Sequence, residues 1–219
     1  MAVALIVAAG RGERLGSGRP KALVTVAGKP LLEWSVDAIR SVRAVRQIVV
    51  ALPGEHLDAA PAGTVAVPGG AVRSESVRLA LQAAASDDTV IVHDAARPLA
   101  SPALFERALA ELETSGADAV IAAGRVPDTI KEVGAGGVEV TRTVDRTRLW
   151  AAQTPQAFKR AALEQALLGS DRAALAAATD DAWLIERAGG VVQVIDSGEP
   201  NIKVTTETDL RIAETLLAR

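Results

Sequence analysis

At 219 residues and a net charge of −3, the chain is long enough to bury one sizeable α/β core and is not basic enough to bind nucleic acid electrostatically. It contains no cysteine and only two histidines, His56 and His93. This excludes disulfides and thiolate metal sites, argues against a multi-histidine zinc site, and fits a cytoplasmic protein.

Apolar runs of strand length recur along the chain. They span residues 3–8, 47–52, 64–67, 89–93, 119–122 and 191–195. Several are continuous rather than alternating, which is typical of parallel strands buried on both faces. The first run is too short to cross a membrane and has no basic segment before it, so we expect no membrane partner.

Helical patterns lie between these runs. Residues 77–84 repeat apolar side chains at helical spacing, Ser101 and Pro102 form a typical helix start, and residues 206–209 resemble a capping box. This alternation predicts a doubly wound, Rossmann-like α/β fold with a mostly parallel sheet. We expect residues 1–219 to form a single domain.

Residues 125–150 interrupt the alternation. Two β-prone pieces, 129–133 and 138–144, flank a glycine-rich tetrapeptide at 134–137, which is typical of a β-hairpin. A two-stranded ribbon is barely stable alone. We therefore expect a protruding β-hairpin arm that packs either on a second subunit or on its own domain.

Glycines and positive charge follow the first strand. The residues concerned are Ala8, Ala9, Gly10, Gly12, Arg14 and Lys21. Because glycines let backbone amides approach an anion and the two cations lie near the same loop, the segment is interpreted as a triphosphate cradle. An ordinary glycine-rich turn is the alternative. Leu15 at the third glycine position excludes the dinucleotide fingerprint, and Ala22 after Lys21 excludes the P-loop.

A second glycine-rich loop follows the run at 64–67, at the sheet edge where open α/β folds bind ligands. Gly69 and Gly70 expose backbone groups that suit the edge of a base, and Ser76 adds a hydroxyl. Ser74 belongs either to this site or to the cap of the following helix.

The run at 89–93 is followed by Asp94 and Arg97. A carboxylate here can accept ribose hydroxyls or help to hold Mg²⁺, and the arginine can bind a phosphate. A hydrogen bond between His93 and Asp94 that only shapes the turn is the alternative.

Polar residues later in the chain have both a functional and a structural interpretation. Thr129 and Arg146 lie on or beside the arm, where charged side chains usually only face solvent. For Thr154 the sequence does not favour either interpretation. Thr179 is a natural helix N-cap. Lys203 lies inside an apolar run, where lysine is more often functional than on a helix face, although it can also snorkel to solvent.

The chain has no recognisable pair of nucleophile and base: it lacks cysteine, Gly-x-Ser-x-Gly and HExxH. Cations, glycines and one well-placed aspartate suit phosphoryl or nucleotidyl transfer, in which positioning and charge neutralisation do most of the catalysis. A phosphate monoester is largely ionised at pH 7, so such an acceptor needs no side-chain base.

In order and spacing these motifs resemble a known family, the 2-C-methyl-D-erythritol 4-phosphate cytidylyltransferases of the non-mevalonate isoprenoid pathway. The matching segments are Ala8-Ala9-Gly10-x-Gly12-x-Arg14-Leu15, Pro20-Lys21, Gly69-Gly70 with Arg73-x-x-Ser76-Val77, residues 92–98, residues 128–131, Val144-Asp145-Arg146, Thr154-Pro155-Gln156, Thr179-Asp180-Asp181 and residues 201–205. The match covers essentially the whole chain. It implies the nucleotidyltransferase type of sheet and a reaction in which CTP and the methylerythritol phosphate give a CDP-alcohol and pyrophosphate. It also implies Mg²⁺ bound mainly through the CTP phosphates, with no protein ligand assigned.

The resemblance implies roles for the candidate residues. Arg14 and Lys21 match cations that stabilise the α-phosphate and the departing pyrophosphate, whereas Arg146 and Lys203 match cations that hold the acceptor phosphate. The implied nucleotide contacts are Ala8, Ala9, Gly10, Gly12, Gly69, Ser76 and Asp94, and the implied acceptor contacts are Arg97, Thr129 and Thr154. In the family two subunits exchange their arms, which implies a homodimer in which Thr129 and Arg97 serve the neighbouring site.

Two positions depart from the family pattern, Ala22 where many relatives carry Gln and Glu75 where Asp is frequent. Neither removes a charge assigned to catalysis.

A ribitol 5-phosphate cytidylyltransferase shares most of the motifs and is the nearest alternative function. A guanylyl- or uridylyltransferase is more distant, and a loop placed to read a pyrimidine argues against guanine. From another class, a nucleotide-binding regulator without catalysis is disfavoured because both Arg14 and Lys21 are kept.

Overall fold

The structure is a computed structural model that describes residues 1–10, 12, 19–198 and 200–218. The strands of these residues are β1 (Ala2–Val7), β2 (Thr25–Val26), β3 (Lys29–Pro30), β4 (Val45–Leu52), β5 (Val65–Pro68), β6 (Thr89–Asp94), β7 (Ala119–Arg125), β8 (Ile130–Val133), β9 (Val140–Val144), β10 (Trp150–Lys159) and β11 (Val192–Asp196). The helices are α1 (Leu31–Arg40), α2 (Arg73–Ala83), α3 (Pro102–Ser115), α4 (Arg160–Leu168), α5 (Arg172–Ala177), α6 (Asp181–Arg187) and α7 (Glu207–Leu217). None of the helices in the described ranges is long and apolar enough to cross a membrane.

Seven strands form one sheet in the order β11-β7-β10-β6-β1-β4-β5. Neighbouring strands are parallel except for β10, which runs antiparallel to both β6 and β7. Apolar side chains of α1 and α3 pack on one face, and those of α2, α4 and α6 pack on the other. The predicted doubly wound, mostly parallel α/β architecture is therefore confirmed.

The predicted parallel strands begin within two residues of the observed ones. Their continuous apolar sequences fit their positions, since the interior of β1 is buried on both faces of the sheet. In a sheet with one exposed face, a strand that is apolar at every position would expose half of its apolar side chains to water.

The sequence does not predict β10, the antiparallel strand inside the sheet. Pro155 lacks a backbone N–H, and proline is normally confined to edge strands or bulges. In the structure the peptide between Thr154 and Pro155 is cis, and the pairing with β7 shifts register between Ala152 and Gln156. The proline thus lies at an irregularity of the ladder.

The predicted hairpin is present as the two-stranded sheet of β8 and β9, inserted between β7 and β10. Gly137 closes its turn at a φ of +75°. Its side chains are nearly all exposed, including Val138, which is 87% exposed, and Val140, which is 52% exposed. The arm therefore does not pack on its own sheet.

A small third core holds the two ends of the chain together. Val26 of β2, Leu31, Val204 and Ala213 of α7 are buried in one cluster.

The helix caps predicted from the sequence are confirmed only in part. The capping box of α7 is confirmed, whereas the N-cap of α6 is Asp180 and not Thr179, because the Asp180 carboxylate accepts from the backbone N–H three residues later, at Trp183.

Candidate active site

A cavity of about 570 Å³ opens at the carboxyl ends of β1 and β6 and at the amino end of α2. Its size is that of a small-molecule site. The candidate residues that line it are Ala8, Ala9, Gly10, Gly12, Lys21, Ser76, Asp94 and Lys203. Residues from both ends of the chain therefore meet at the edge where open α/β sheets bind ligands.

Gly12 and Lys21 lie against each other on the wall of this cavity. Gly12 has a φ of +70°, and a Cβ added there would lie 2.9 Å from the Cβ of Lys21. The backbone N–H of Lys21 donates to the carbonyl of Gly10 at 3.2 Å. Glycine is therefore required at position 12, and Lys21 lies beside the end of β1. Arg14 lies outside the described residues.

The second glycine-rich loop closes against the first. A Cβ added at Gly69 would lie 2.2 Å from the Cβ of Ala9, and one added at Gly70 would lie 2.3 Å from the Cβ of Glu75. Such distances are far below van der Waals contact. Gly69 does not itself line the cavity, but it lets the two loops approach closely enough to form its wall.

Three backbone N–H groups of this second loop already donate to acceptors of the protein itself. Their acceptors are the carbonyl of Leu52 for Gly69 at 2.7 Å, Ser76 Oγ for Gly70 at 3.0 Å, and Glu75 Oε2 for Ala71 at 2.8 Å. The hydroxyl of Ser76 thus fixes the loop and also donates to the carbonyl of Val72 at 3.3 Å. Backbone carbonyl oxygens remain as the polar groups of the loop that can face a ligand.

The helix α2 starts at the cavity without a side-chain cap. Its N-cap is Val72, which has no capping group. Ser74 is not the cap: it is buried in the first turn, and its Oγ has no partner among the residues that the structure describes. The uncapped amides and the positive end of the helix dipole therefore lie beside the cavity, where they favour an anion.

Four charged side chains form a series of ion pairs that ends in the cavity. Asp181 is bound by Arg73 at 2.5 Å, Arg73 is bound to Asp94 Oδ1 at 3.1 Å, and Lys203 Nζ donates to Asp94 Oδ2 at 2.6 Å. Burial works against the charge of Asp94, but Arg73 and Lys203 outweigh it and hold the pKa of that carboxyl well below its usual range. Burial likewise works against the charge of Arg73, yet Asp181 and Asp94 raise the pKa of its guanidinium.

Thr154 lies beneath Asp94 rather than in the cavity. Its buried hydroxyl accepts from the backbone N–H of Asp94 at 3.0 Å and lies 3.0 Å from Nδ1 of His93. His93 is buried against Phe105, and burial lowers the pKa of its imidazole to about 4. The ring is therefore neutral at pH 7, and it forms no hydrogen bond with the Asp94 side chain.

Arg97 supports the segment that carries Lys203. It is 8% exposed, and its Nη1 donates to the carbonyl of Asn201 at 2.6 Å. The backbone N–H of Val204 donates to the carbonyl of Ala96 at 2.7 Å. Burial lowers the pKa of Arg97 below its ordinary value. These bonds fix the backbone on both sides of Lys203 against the loop after β6.

Thr129 and Arg146 lie on the arm, and neither lines the cavity of the described chain. Both are exposed. Arg146 donates to the carbonyl of Pro127 and begins a short 3-10 turn that Asp145 caps. One chain therefore does not bring these two residues together with Lys21 and Lys203.

The acidic residues of the site determine whether the protein itself can bind magnesium. Across the described ranges, no group of three or more His, Cys, Asp or Glu side chains could hold a metal ion. Both carboxylate oxygens of Asp94 are already bound to cations. The side chains that the structure describes thus do not form a metal site by themselves.

The sequence alone does not reveal the roles of Arg73, Asp181 and Asn201. Each stands inside a candidate motif, but their contacts join positions about a hundred residues apart. Arg73 is the clearest case, since an arginine directly after a glycine-rich loop and at the start of a helix is a signal of an ionic partner nearby.

Comparisons with known proteins agree with this geometry. A family model described as 2-C-methyl-D-erythritol 4-phosphate cytidylyltransferase matches residues 2–219. A protein of that name from Nocardia farcinica is 46% identical, covering 99% of this chain and 94% of its own, and one from Frankia casuarinae is 47% identical, covering 99% and 81%. The crystal structure of the Thermus thermophilus enzyme of that name has a TM-score of 0.80 at 35% identity and covers 98% of both chains.

Proposed function

The chain belongs to the 2-C-methyl-D-erythritol 4-phosphate cytidylyltransferase family, and from this premise we propose that it transfers CMP from CTP to 2-C-methyl-D-erythritol 4-phosphate. The observation that carries the proposal is the meeting of Lys21 and Lys203 in one cavity, beside the uncapped start of α2. A site with these groups suits two phosphate-bearing substrates whose negative charges would otherwise repel each other.

The reaction is a single displacement at phosphorus. An oxygen of the acceptor phosphate forms a bond to the α-phosphorus of CTP, and the bond from that phosphorus to the oxygen bridging the β-phosphate breaks. Pyrophosphate leaves with the electron pair. The acceptor phosphate is mostly a dianion at pH 7, since its second pKa is about 6, so no general base is needed. This agrees with Asp94, whose oxygens are both committed to cations.

We assign the cations by position. Lys21 lies beside the glycines of the first loop, and with Arg14 it stabilises the charge that develops on the α-phosphate and pyrophosphate. Lys203 is 40% exposed and held by one carboxylate oxygen, so its ammonium can donate further hydrogen bonds to the acceptor phosphate. Arg97 does not line the cavity, and its Nη1 holds the carbonyl of Asn201, so we assign it to the acceptor side through the position that it gives to Lys203.

The base is proposed to be cytosine. Because the amides of Gly69, Gly70 and Ala71 are used internally, the loop offers acceptors rather than donors. A carbonyl oxygen binds the 4-amino group of cytosine, whereas it faces a repelling carbonyl in uracil. Nucleotide contacts by Ala8, Ala9, Gly10 and Gly12 complete the same wall.

The arm supports the proposal of a homodimer. Thr129 and Arg146 lie outside their own cavity, and exposed valines run along β8 and β9. Two copies that exchange arms would bury these valines and bring Thr129 and Arg146 to the cavity of the other copy. Residues 125–150 then act as a dimerisation subdomain of a single domain, 1–219, in the cytoplasm.

Magnesium is proposed to enter with the nucleotide. Since no cluster of three ligands exists among the described side chains, the phosphates of CTP supply its ligands, and Mg²⁺ offsets their negative charge when bound. Nucleic acid and membranes are not proposed partners.

The test is an incubation of the purified chain with CTP, MgCl₂ and 2-C-methyl-D-erythritol 4-phosphate, followed by phosphorus NMR. We expect pyrophosphate and the cytidine diphosphate alcohol in equal amounts. Parallel reactions with ribitol 5-phosphate, and with UTP in place of CTP, should be far slower. Faster turnover of ribitol 5-phosphate would overturn the acceptor assignment. Nucleotide binding without release of pyrophosphate from CTP in the presence of either acceptor would favour a regulator instead.

A further inference from the structure

Asp181, at the start of α6, is completely buried and does not line the cavity. Its Oδ2 accepts from Arg73, and its Oδ1 has no partner among the described residues. A buried carboxylate with one ionic partner is no more stabilising than a well-packed apolar side chain, and often less so. The stability of the fold therefore does not account for a charge at this position.

The guanidinium of Arg73 is shared between two carboxylates. Its Nη1 faces Asp181, whereas its Nε at 3.2 Å and Nη2 at 3.1 Å both face Oδ1 of Asp94. The second oxygen of Asp94, Oδ2, is bound by Lys203. Arg73 therefore takes only one oxygen of Asp94, although an arginine and a carboxylate frequently pair through two parallel bonds, one to each oxygen.

We propose that Asp181 is a positioning residue that reserves Oδ2 of Asp94 for Lys203. By holding Nη1, it fixes the orientation of the planar guanidinium, so that Nε and Nη2 both stay on Oδ1 and neither turns onto Oδ2 to displace the lysine. The inference rests on the proposed function, in which Lys203 binds the acceptor phosphate. Asp181 touches no substrate and acts through Arg73.

A crystal structure of the Asp181→Asn variant tests this geometry without any substrate. Asparagine keeps the size of the side chain and removes its charge. We expect Arg73 to turn onto both oxygens of Asp94, and Lys203 Nζ to lie beyond hydrogen-bond distance, about 3.5 Å, from Oδ2. An unchanged contact between Lys203 and Oδ2, with Arg73 still on Oδ1 alone, would overturn the proposal.

Steady-state kinetics test the consequence. For Asp181→Asn we expect the acceptor KM to rise about tenfold, with kcat and the KM for CTP within about threefold of the parent values. The matched control is Asp180→Asn, the same substitution one residue earlier. The amide oxygen of this variant still accepts from Trp183 at the start of α6, and its NH₂ group can donate to Oε1 of Gln156, which has no partner in the described chain. This control should keep the parent KM, and a rise equal to that of Asp181→Asn would contradict a role through Arg73.

A double-mutant cycle with Arg73→Gln identifies the route of the effect. If Asp181 acts through Arg73, adding Asp181→Asn to Arg73→Gln should change the acceptor KM by less than about twofold. A further tenfold rise in that background would overturn the proposal. Activity of the parent chain tests the proposed function separately: if it fails to use the acceptor, that function is wrong, while the crystal structure still decides what Asp181 does.

Discussion

Replacing Gly69 by alanine should damage the nucleotide site chiefly through one contact. The new methyl carbon would lie 2.2 Å from Cβ of Ala9, whereas two carbon atoms rest at about 3.5–4.0 Å. The loops that carry Gly69 and Ala9 must therefore separate by roughly 1.3–1.8 Å. Because Ala9 lines the cavity, the part of this shift that Ala9 takes up appears in its wall.

A misplacement of about 1 Å in a positioning wall costs on the order of 10²-fold in rate. We therefore expect kcat/KM for CTP to fall about 100-fold in Gly69→Ala, which corresponds to about 2.7 kcal/mol. The assay is the release of pyrophosphate at saturating acceptor over a range of CTP concentrations. Gly54→Ala is the control, since a Cβ added there meets nothing within 4 Å, and its kcat/KM should equal that of the parent.

The same contact gives a rescue experiment. Ala9→Gly removes the atom that the new methyl group would strike, so the double variant Gly69→Ala, Ala9→Gly should recover at least about tenfold of the lost kcat/KM. Two results would refute the reasoning. One is a Gly69→Ala enzyme within about threefold of the parent, and the other is a double variant as impaired as the single one.

Three further predictions concern the charge, the arm and the buried histidine. Lys21→Ala should lower kcat by about 10²-fold, the scale for the loss of one charge-stabilising donor, whereas Lys29→Ala nearby should not; equal effects would remove Lys21 from its role. Deleting residues 133–140 should convert a dimer into a monomer on a sizing column with multi-angle scattering, and an unchanged dimer mass would contradict arm exchange. The ring of His93 should titrate by NMR near pH 4. Since the unfolded ring takes its proton near pH 6.5, the native state should lose stability as the pH falls from about 6.5 to 4, and a midpoint near 6.5 in the folded protein would contradict its burial.

The fold was predictable where one local pattern decided it. Continuous apolar runs identify β1, β4 and β6, because both faces of each strand are buried in the sheet. The strand β10 was not predicted because its extended conformation is stabilised by pairing with neighbouring strands and not by its own sequence. Pro155 and the polar residues around it oppose a strand locally, yet β6 and β7 pair with it on both sides.

The candidate site was predictable where glycines and cations stand next to strands. Gly12, Lys21, Asp94 and Lys203 all line the cavity. Thr154 shows the limit of such reasoning: its position in a motif indicates importance, but only the fold reveals that its hydroxyl holds the backbone of Asp94. The pairing of Arg73 with Asp181 spans 108 positions, and periodicity carries no information at that separation.

The position of β10 in the sheet has a consequence for synthesis on the ribosome. The strands β6, β1, β4 and β5 all come from the first 94 residues and are contiguous in the sheet, so they can pair as soon as they leave the exit tunnel. Until β10 follows, the hydrogen-bonding edge of β6 stays open to other chains. Lys203 is made 109 residues after Asp94, a delay of roughly 5–20 s at cellular rates of translation. The nascent protein thus carries an uncovered sheet edge until β10 emerges, and a cavity without Lys203 until the segment after β11 follows.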